Sequence, residues 1–217
     1  MNRQHTTATP VDLVVVTAIC FGLFILSSIE GVIRGFPPYR VSDHQLASLI
    51  FIELAMTMIA VSYLRIRHHD LRALFPVPTA KGFLAGGGLY LVTLAVALPL
   101  ESLLTHNVPA LRGANGTLQA TEVSTAMIVL VSLVNGLYEE VFLLGFLQRS
   151  LLPSEGHFAV GTALLVRLSY HLYQGPGGVL FVTVFGAIVG YYYLKTGKLW
   201  PAVVAHIMGD VVGLAVN

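Results

Sequence analysis

Charge is what this sequence has least of. Only 11% of its 217 residues are Asp, Glu, Lys or Arg, against about 25% in a soluble domain. That scarcity excludes an ordinary solvated surface. Cysteine is nearly absent. Cys20 stands alone, so an intrachain disulfide and a thiolate cluster for zinc are both excluded. The net charge is +1 with no basic stripe, which excludes a nucleic-acid footprint. No internal repeat, no soluble domain and no C-terminal lipidation box is found. What the chain has instead is apolar residues, 55% of the total, gathered into long runs. The expected fold class is an all-α polytopic membrane protein of about seven transmembrane helices, with the lipid bilayer as its first partner.

The runs follow in order. Residues 1–10 form a polar arm. Val11–Ile29 is the first span; a small-x-small cleavage site is missing behind it, so it reads as a retained helix rather than a signal peptide. Leu46–Leu64 is the second and carries Glu53. Gly82–Leu104 is the third, and its Gly86-Gly87-Gly88 would let a neighbouring helix approach closely. A loop from His106 to Thr121 precedes a fourth run, Glu122–Leu152, too long for a direct crossing of ~20 residues. Phe158–Tyr173 is the fifth and stops at Gln174-Gly175-Pro176. Val179–Leu194 is the sixth, with Gly186-x-x-x-Gly190. Trp200 and Pro201 open the seventh, which runs to Asn217. The expected organisation is an arm (1–10), N-terminal transmembrane helices (11–121) and a core (122–217) that forms one compact domain with the helices before it.

With alternating spans, Arg3, Arg65, Arg67, Arg72, Lys81, Arg149, Lys195 and Lys198 fall on the N-terminal side. Arg34, Arg40 and Arg112 fall on the other. The positive-inside rule then predicts a cell-membrane protein with a cytoplasmic N-terminus.

The chemistry is concentrated near the C-terminus. Glu139 and Glu140 sit inside an apolar run, where each charge costs roughly 2.5 kcal/mol or more, so the pair is a functional hypothesis by default. Being neighbours, about 100° apart on a helix, they cannot meet one centre in the same way. One can do chemistry while the other braces it. Arg167 and His171 share a helix face at i, i+4 spacing, as do His206 and Asp210. This inventory suits water activation by a carboxylate and an imidazole, with donors for an oxyanion. It equally suits a divalent metal such as zinc, held by Glu140, His171 and His206, although a His-Glu-x-x-His motif is missing. Cross-helix packing is the bland alternative for each residue taken alone. It is the favoured reading of Glu30 and Glu53, while His68, His69, His106 and His157 are expected in solvated loops. Asn115-Gly116-Thr117, a chance-prone glycosylation pattern, carries no weight.

Taken together these residues resemble the CPBP intramembrane proteases, which include the type II CAAX prenyl endopeptidases and Abi-like proteins. That family shows Glu-Glu-x-x-x-Arg, then Phe-x-x-x-His, then His-x-x-x-Asn or His-x-x-x-Asp, each on a membrane helix. Glu139-Glu140, His171 and His206-Ile207-Met208-Gly209-Asp210 stand in those places, over about residues 122–214. Leu144 stands where the motif has Arg, and Arg167 where it has Phe. An arginine on the histidine helix would replace the missing charge by pairing with Glu139. The resemblance implies a glutamate-type or metal-dependent endopeptidase acting on a membrane-associated peptide or protein, reached from the bilayer or the cytoplasmic face. In it Glu140 and His171 would activate water, His206 and Asp210 would stabilise the oxyanion, and Glu139 and Arg167 would support them. A proton-coupled carrier and a non-catalytic scaffold or immunity protein are the alternatives. One tension remains in depth. At ~1.5 Å per residue Glu140 and His206 lie ~12–14 Å in, and His171 ~20 Å.

Overall fold

The structure, a computed structural model, describes residues 8–108, 118–120, 123–152 and 155–216. It is helical almost throughout. The helices are α1 (Pro10–Ile33), α2 (Asp43–Ile66), α3 (Ala80–Asn107), α4 (Thr125–Leu151), α5 (Gly156–His171), α6 (Gly175–Thr196) and α7 (Trp200–Val216). Each lies within a few residues of an expected span, because a long apolar run bounded by polar or Pro/Gly residues has few other options. Arg3, Arg112, Glu122, Pro153 and the Asn115-Gly116-Thr117 pattern fall outside the described residues.

By length and apolarity, five stretches among the described residues are fit to cross a membrane. One of these, Gly156–Thr196, spans 41 residues and is in fact a hairpin. It breaks after His171 into the short turn Leu172–Gln174, and Gly175 takes φ +75° there. The contacts of its two arms are antiparallel. A Cβ at Gly186 would meet Leu164 and Arg167, one at Gly190 would meet Val160, and one at Gly156 would meet Leu194. α7, with 17 residues, is shorter than a full crossing.

Two features were not expected from the sequence. Tyr39–Val41 and Leu118–Ala120 form a two-stranded parallel ladder that ties the α1–α2 connection to the segment before α4. The second is in α4, where Val141–Gln148 winds as a π-helix directly after Glu140, with all eight residues buried. The extra length of the fourth run is thus taken up partly by a wider, looser helix. Such segments are frequent at functional sites.

α4 and α7 form the centre. Pro201 to His206 are buried without interruption, as are Tyr138 to Gln148. The faces of α1, α2 and α3 turned outward are apolar, with Phe51, Met58, Leu84 and Leu91 exposed, as lipid-facing helices require. The chain is an integral membrane protein. Small residues let the central helices meet. A Cβ at Gly86 would lie 2.5 Å from Val204 Cβ, and one at Gly136 2.9 Å from Ile207 Cγ1. Only Gly86 of the Gly86–Gly88 triplet makes such an approach; Gly88 faces open space. These contacts bring α7 against both α3 and α4 and set the depth of His206.

Candidate active site

α4, α5 and α7 each contribute polar side chains to one buried cluster. Glu140 has no exposed surface. Its Oε1 accepts from Arg167 Nη2 at 2.7 Å and from His206 Nδ1 at 2.7 Å. Glu139 points elsewhere. Its Oε2 accepts from the Tyr170 hydroxyl at 2.5 Å, with Arg167 Nη1 at 3.7 Å and His206 Nε2 at 3.9 Å. One guanidinium therefore serves both carboxylates, and its close partner is Glu140. The expected pairing of Arg167 with Glu139 is corrected to this extent: Glu139 is the distant partner. Arg167 is held from behind as well. Its Cζ stands 5.2 Å from the Phe185 ring centre, and its Cδ would lie 3.1 Å from a Cβ at Gly186. Phe185 also meets the His206 ring edge-on at 5.4 Å.

The remaining residues extend the cluster. Asp210 Oδ1 is 3.6 Å from His206 Nε2. Asp210 Oδ2 accepts from Asn135 Nδ2 at 2.9 Å, and that amide is 3.4 Å from His206 Nε2. His171 Nδ1 lies 3.0 Å from the Arg167 carbonyl. A carbonyl only accepts, so Nδ1 carries a proton; in the neutral ring Nε2 then keeps its lone pair. The His171 ring rests against Tyr170, centres 4.5 Å apart. Tyr170 in turn stacks on Phe21 of α1 at 5.0 Å.

A cavity of about 600 Å³ opens onto this cluster. Glu139, His171, His206, Asp210, Asn135 and Tyr170 all line it, and Glu140 does not. The tension in depth is thereby resolved, since the hairpin and the packing of α7 level the residues at one cavity. At its far end the cavity is lined by Arg34, Pro37 and Tyr39 of the α1–α2 connection. That end is opposite the start of α1.

Several residues were missed or misread in the sequence. Asn135 lies four residues before Glu139, one helical turn away on the same face. Tyr170 lies beside His171 in a stretch rich in aromatics. Glu53, expected to be a packing residue, lines the cavity from the middle of α2. It is 1% exposed, and its Oε2 has no hydrogen-bond partner among the described residues. His69, expected in a solvated loop, is packed edge-on to Phe146, with Nε2 3.4 Å from Asp12.

The metal ligands suggested by the sequence do not assemble into a coordination set. No group of three or more His, Cys, Asp or Glu side chains among the described residues is arranged to hold an ion. Glu140 Oε1 is already shared by a guanidinium and an imidazole. A cation in contact with the donor carboxylate opposes a second one.

This arrangement can be set beside known proteins. Residues 121–212 match the type II CAAX prenyl endopeptidase Rce1-like family. The match spans α4 to α7 and bears out the resemblance read from the three motifs. It contains every member of the polar cluster and leaves out Glu53. No curated protein and no solved structure matches the chain. The matched family is described as one of prenyl endopeptidases.

Proposed function

We propose that the chain is an intramembrane endopeptidase in which Glu139 is the base. The observation that carries this reading is the division between the two carboxylates. Glu139 faces the cavity, while Glu140 is sealed behind it with Oε1 doubly engaged. The role expected for Glu140 thus passes to its neighbour, and Glu140 becomes the brace.

In the proposed reaction a water sits between Glu139 and the free Nε2 of His171. Glu139 takes one proton as the water oxygen attacks the scissile carbonyl carbon. Tyr170 and Arg167 keep the carboxylate turned toward that water. The negative oxygen that forms is met by donors beside Glu139, Asn135 Nδ2 one turn back on α4 and His206 Nε2 on α7. In its imidazolium form His206 donates from both ring nitrogens, to Glu140 through Nδ1 and into the cavity through Nε2. Asp210 orients that pair. Collapse breaks the C–N bond, and the proton held by Glu139 passes to the leaving amine. Water is consumed, and a carboxylic acid and an amine result. No step needs a group that the chain does not supply. The substrate would enter from the end lined by Arg34 and Tyr39, opposite the start of α1; with the N-terminus cytoplasmic, this replaces the expected cytoplasmic entry by entry from the bilayer or the outer side.

The test compares membrane-associated peptides from cells carrying the wild type or Glu139→Gln at matched expression. New peptide ends confined to the wild type are expected. Identical peptide profiles, with full complementation by the variant, would favour the non-catalytic scaffold instead.

A further inference from the structure

At the opposite end of the molecule lies a second cavity, of about 710 Å³, unconnected with the proposed chemistry. Its walls come from the α2–α3 connection, the first turn of α3, the end of α4, the end of α6 and the α6–α7 turn. This is the end where α1 begins, because Tyr63 and Arg67 at the close of α2 reach Asp12 in the first turn of α1. Three cations, Lys81, Arg149 and Lys198, line it, and no Asp or Glu does. No described carboxylate lies within ion-pair distance of any of the three. Arg149 is fixed at the wall by a hydrogen bond from Nη1 to the Ala73 carbonyl. Lys81 and Lys198 are exposed.

The rest of the lining is apolar and aromatic. Phe75 and Val77 are 60% and 76% exposed at its edge, with Trp200 and Tyr192 beside them. Large apolar side chains on a Pro-rich connection do not serve a water-facing surface; they suit the bilayer interface. Uncompensated cations and apolar lips in one cleft are complementary to one kind of molecule, an amphiphile with an anionic head. We infer that this cleft binds the headgroup of an anionic phospholipid, its phosphate against Lys81, Arg149 and Lys198 and its acyl chains along Phe75 and Val77.

The test uses the purified full-length chain in an uncharged detergent. Thermal unfolding is followed while dioctanoyl phosphatidylglycerol, dioctanoyl phosphatidylcholine or inorganic phosphate is added. A ligand that binds the folded state raises Tm in a saturable way. The expected result is a saturable rise with phosphatidylglycerol alone, with apparent affinity weakened roughly tenfold or more in Lys81→Gln/Lys198→Gln. Lys195→Gln removes a cation of the same end that does not line the cleft, and should bind as the wild type. An equal rise with phosphatidylcholine, or unchanged binding by the double variant, overturns the proposal. So does equal weakening by Lys195→Gln, which would reduce the effect to general surface charge. A full rise with phosphate alone would assign the cleft to a free anion rather than a lipid.

Discussion

Two buried carboxylate clusters in this molecule look alike on paper and differ in what lies beside them. At the start of α1, Asp12 is 1% exposed. Its Oδ1 accepts from Tyr63 at 2.8 Å and Arg67 at 2.9 Å, and its Oδ2 from the Thr9 amide at 2.9 Å and hydroxyl at 2.7 Å. Both oxygens are satisfied. The cluster closes the N-terminal cap of α1 onto the end of α2. At the centre of the bundle, Glu140 and Glu53 each retain an oxygen with no hydrogen-bond partner among the described residues, and Glu139 faces a cavity. A buried polar group left without a partner costs about 1–3 kcal/mol. Both clusters bury charge; the central one also borders open space, through Glu139 and Glu53, and on that difference the proposed function rests.

The comparison can be broken first at Glu139. Glu139→Gln should lower turnover by about 10²- to 10⁴-fold, the range for losing a general base, while the protein unfolds at its normal temperature. An assay of cleavage beside a thermal melt reads both. Next is Arg167→Leu, which strands Glu140 without its cation. Breaking a buried pair costs about 3–5 kcal/mol, so unfolding should shift sharply and activity should be lost with it. Leu144→Arg in that background tests whether a charge returned to α4 restores the fold in part. At the other cluster Asp12→Asn should cost about 1–3 kcal/mol of stability through the lost charge beside Arg67 and Tyr63, with turnover per folded molecule unchanged. A loss of turnover there would erase the distinction between the clusters. The smallest effect is expected from Glu53→Gln. It keeps the shape and removes only the ability to ionise beside the cavity, so stability should hold and cleavage should change less than for Glu139→Gln.

Much of this was legible in the sequence because lipid leaves a chain few choices. The helices followed from apolar runs, the hairpin stop from Gln174-Gly175-Pro176, and the site's location from Glu139-Glu140, His171 and His206-x-x-x-Asp210. Which glutamate faces the cavity was not legible. Two adjacent residues differ by about 100° of helix phase. That phase is fixed by packing against Ile207 at Gly136 and by the π-helix that begins at Val141. The Leu144 and Arg167 departures were readable as a linked change, but their partner was not, since one guanidinium spans both carboxylates. Glu53 was unreadable for a different reason. It stands alone on α2, and nothing in its neighbourhood along the chain indicates that α2 packs beside α4.

The most direct test of the account sets Glu139→Gln against Glu140→Gln in the same purified preparation, measuring thermal unfolding and substrate cleavage for each. Glu139→Gln should melt like the wild type and not cleave, whereas Glu140→Gln should melt at a clearly lower temperature because Arg167 and His206 lose their charged partner. A Glu140→Gln protein that melts normally and is inactive, beside a Glu139→Gln protein that still cleaves, would contradict it.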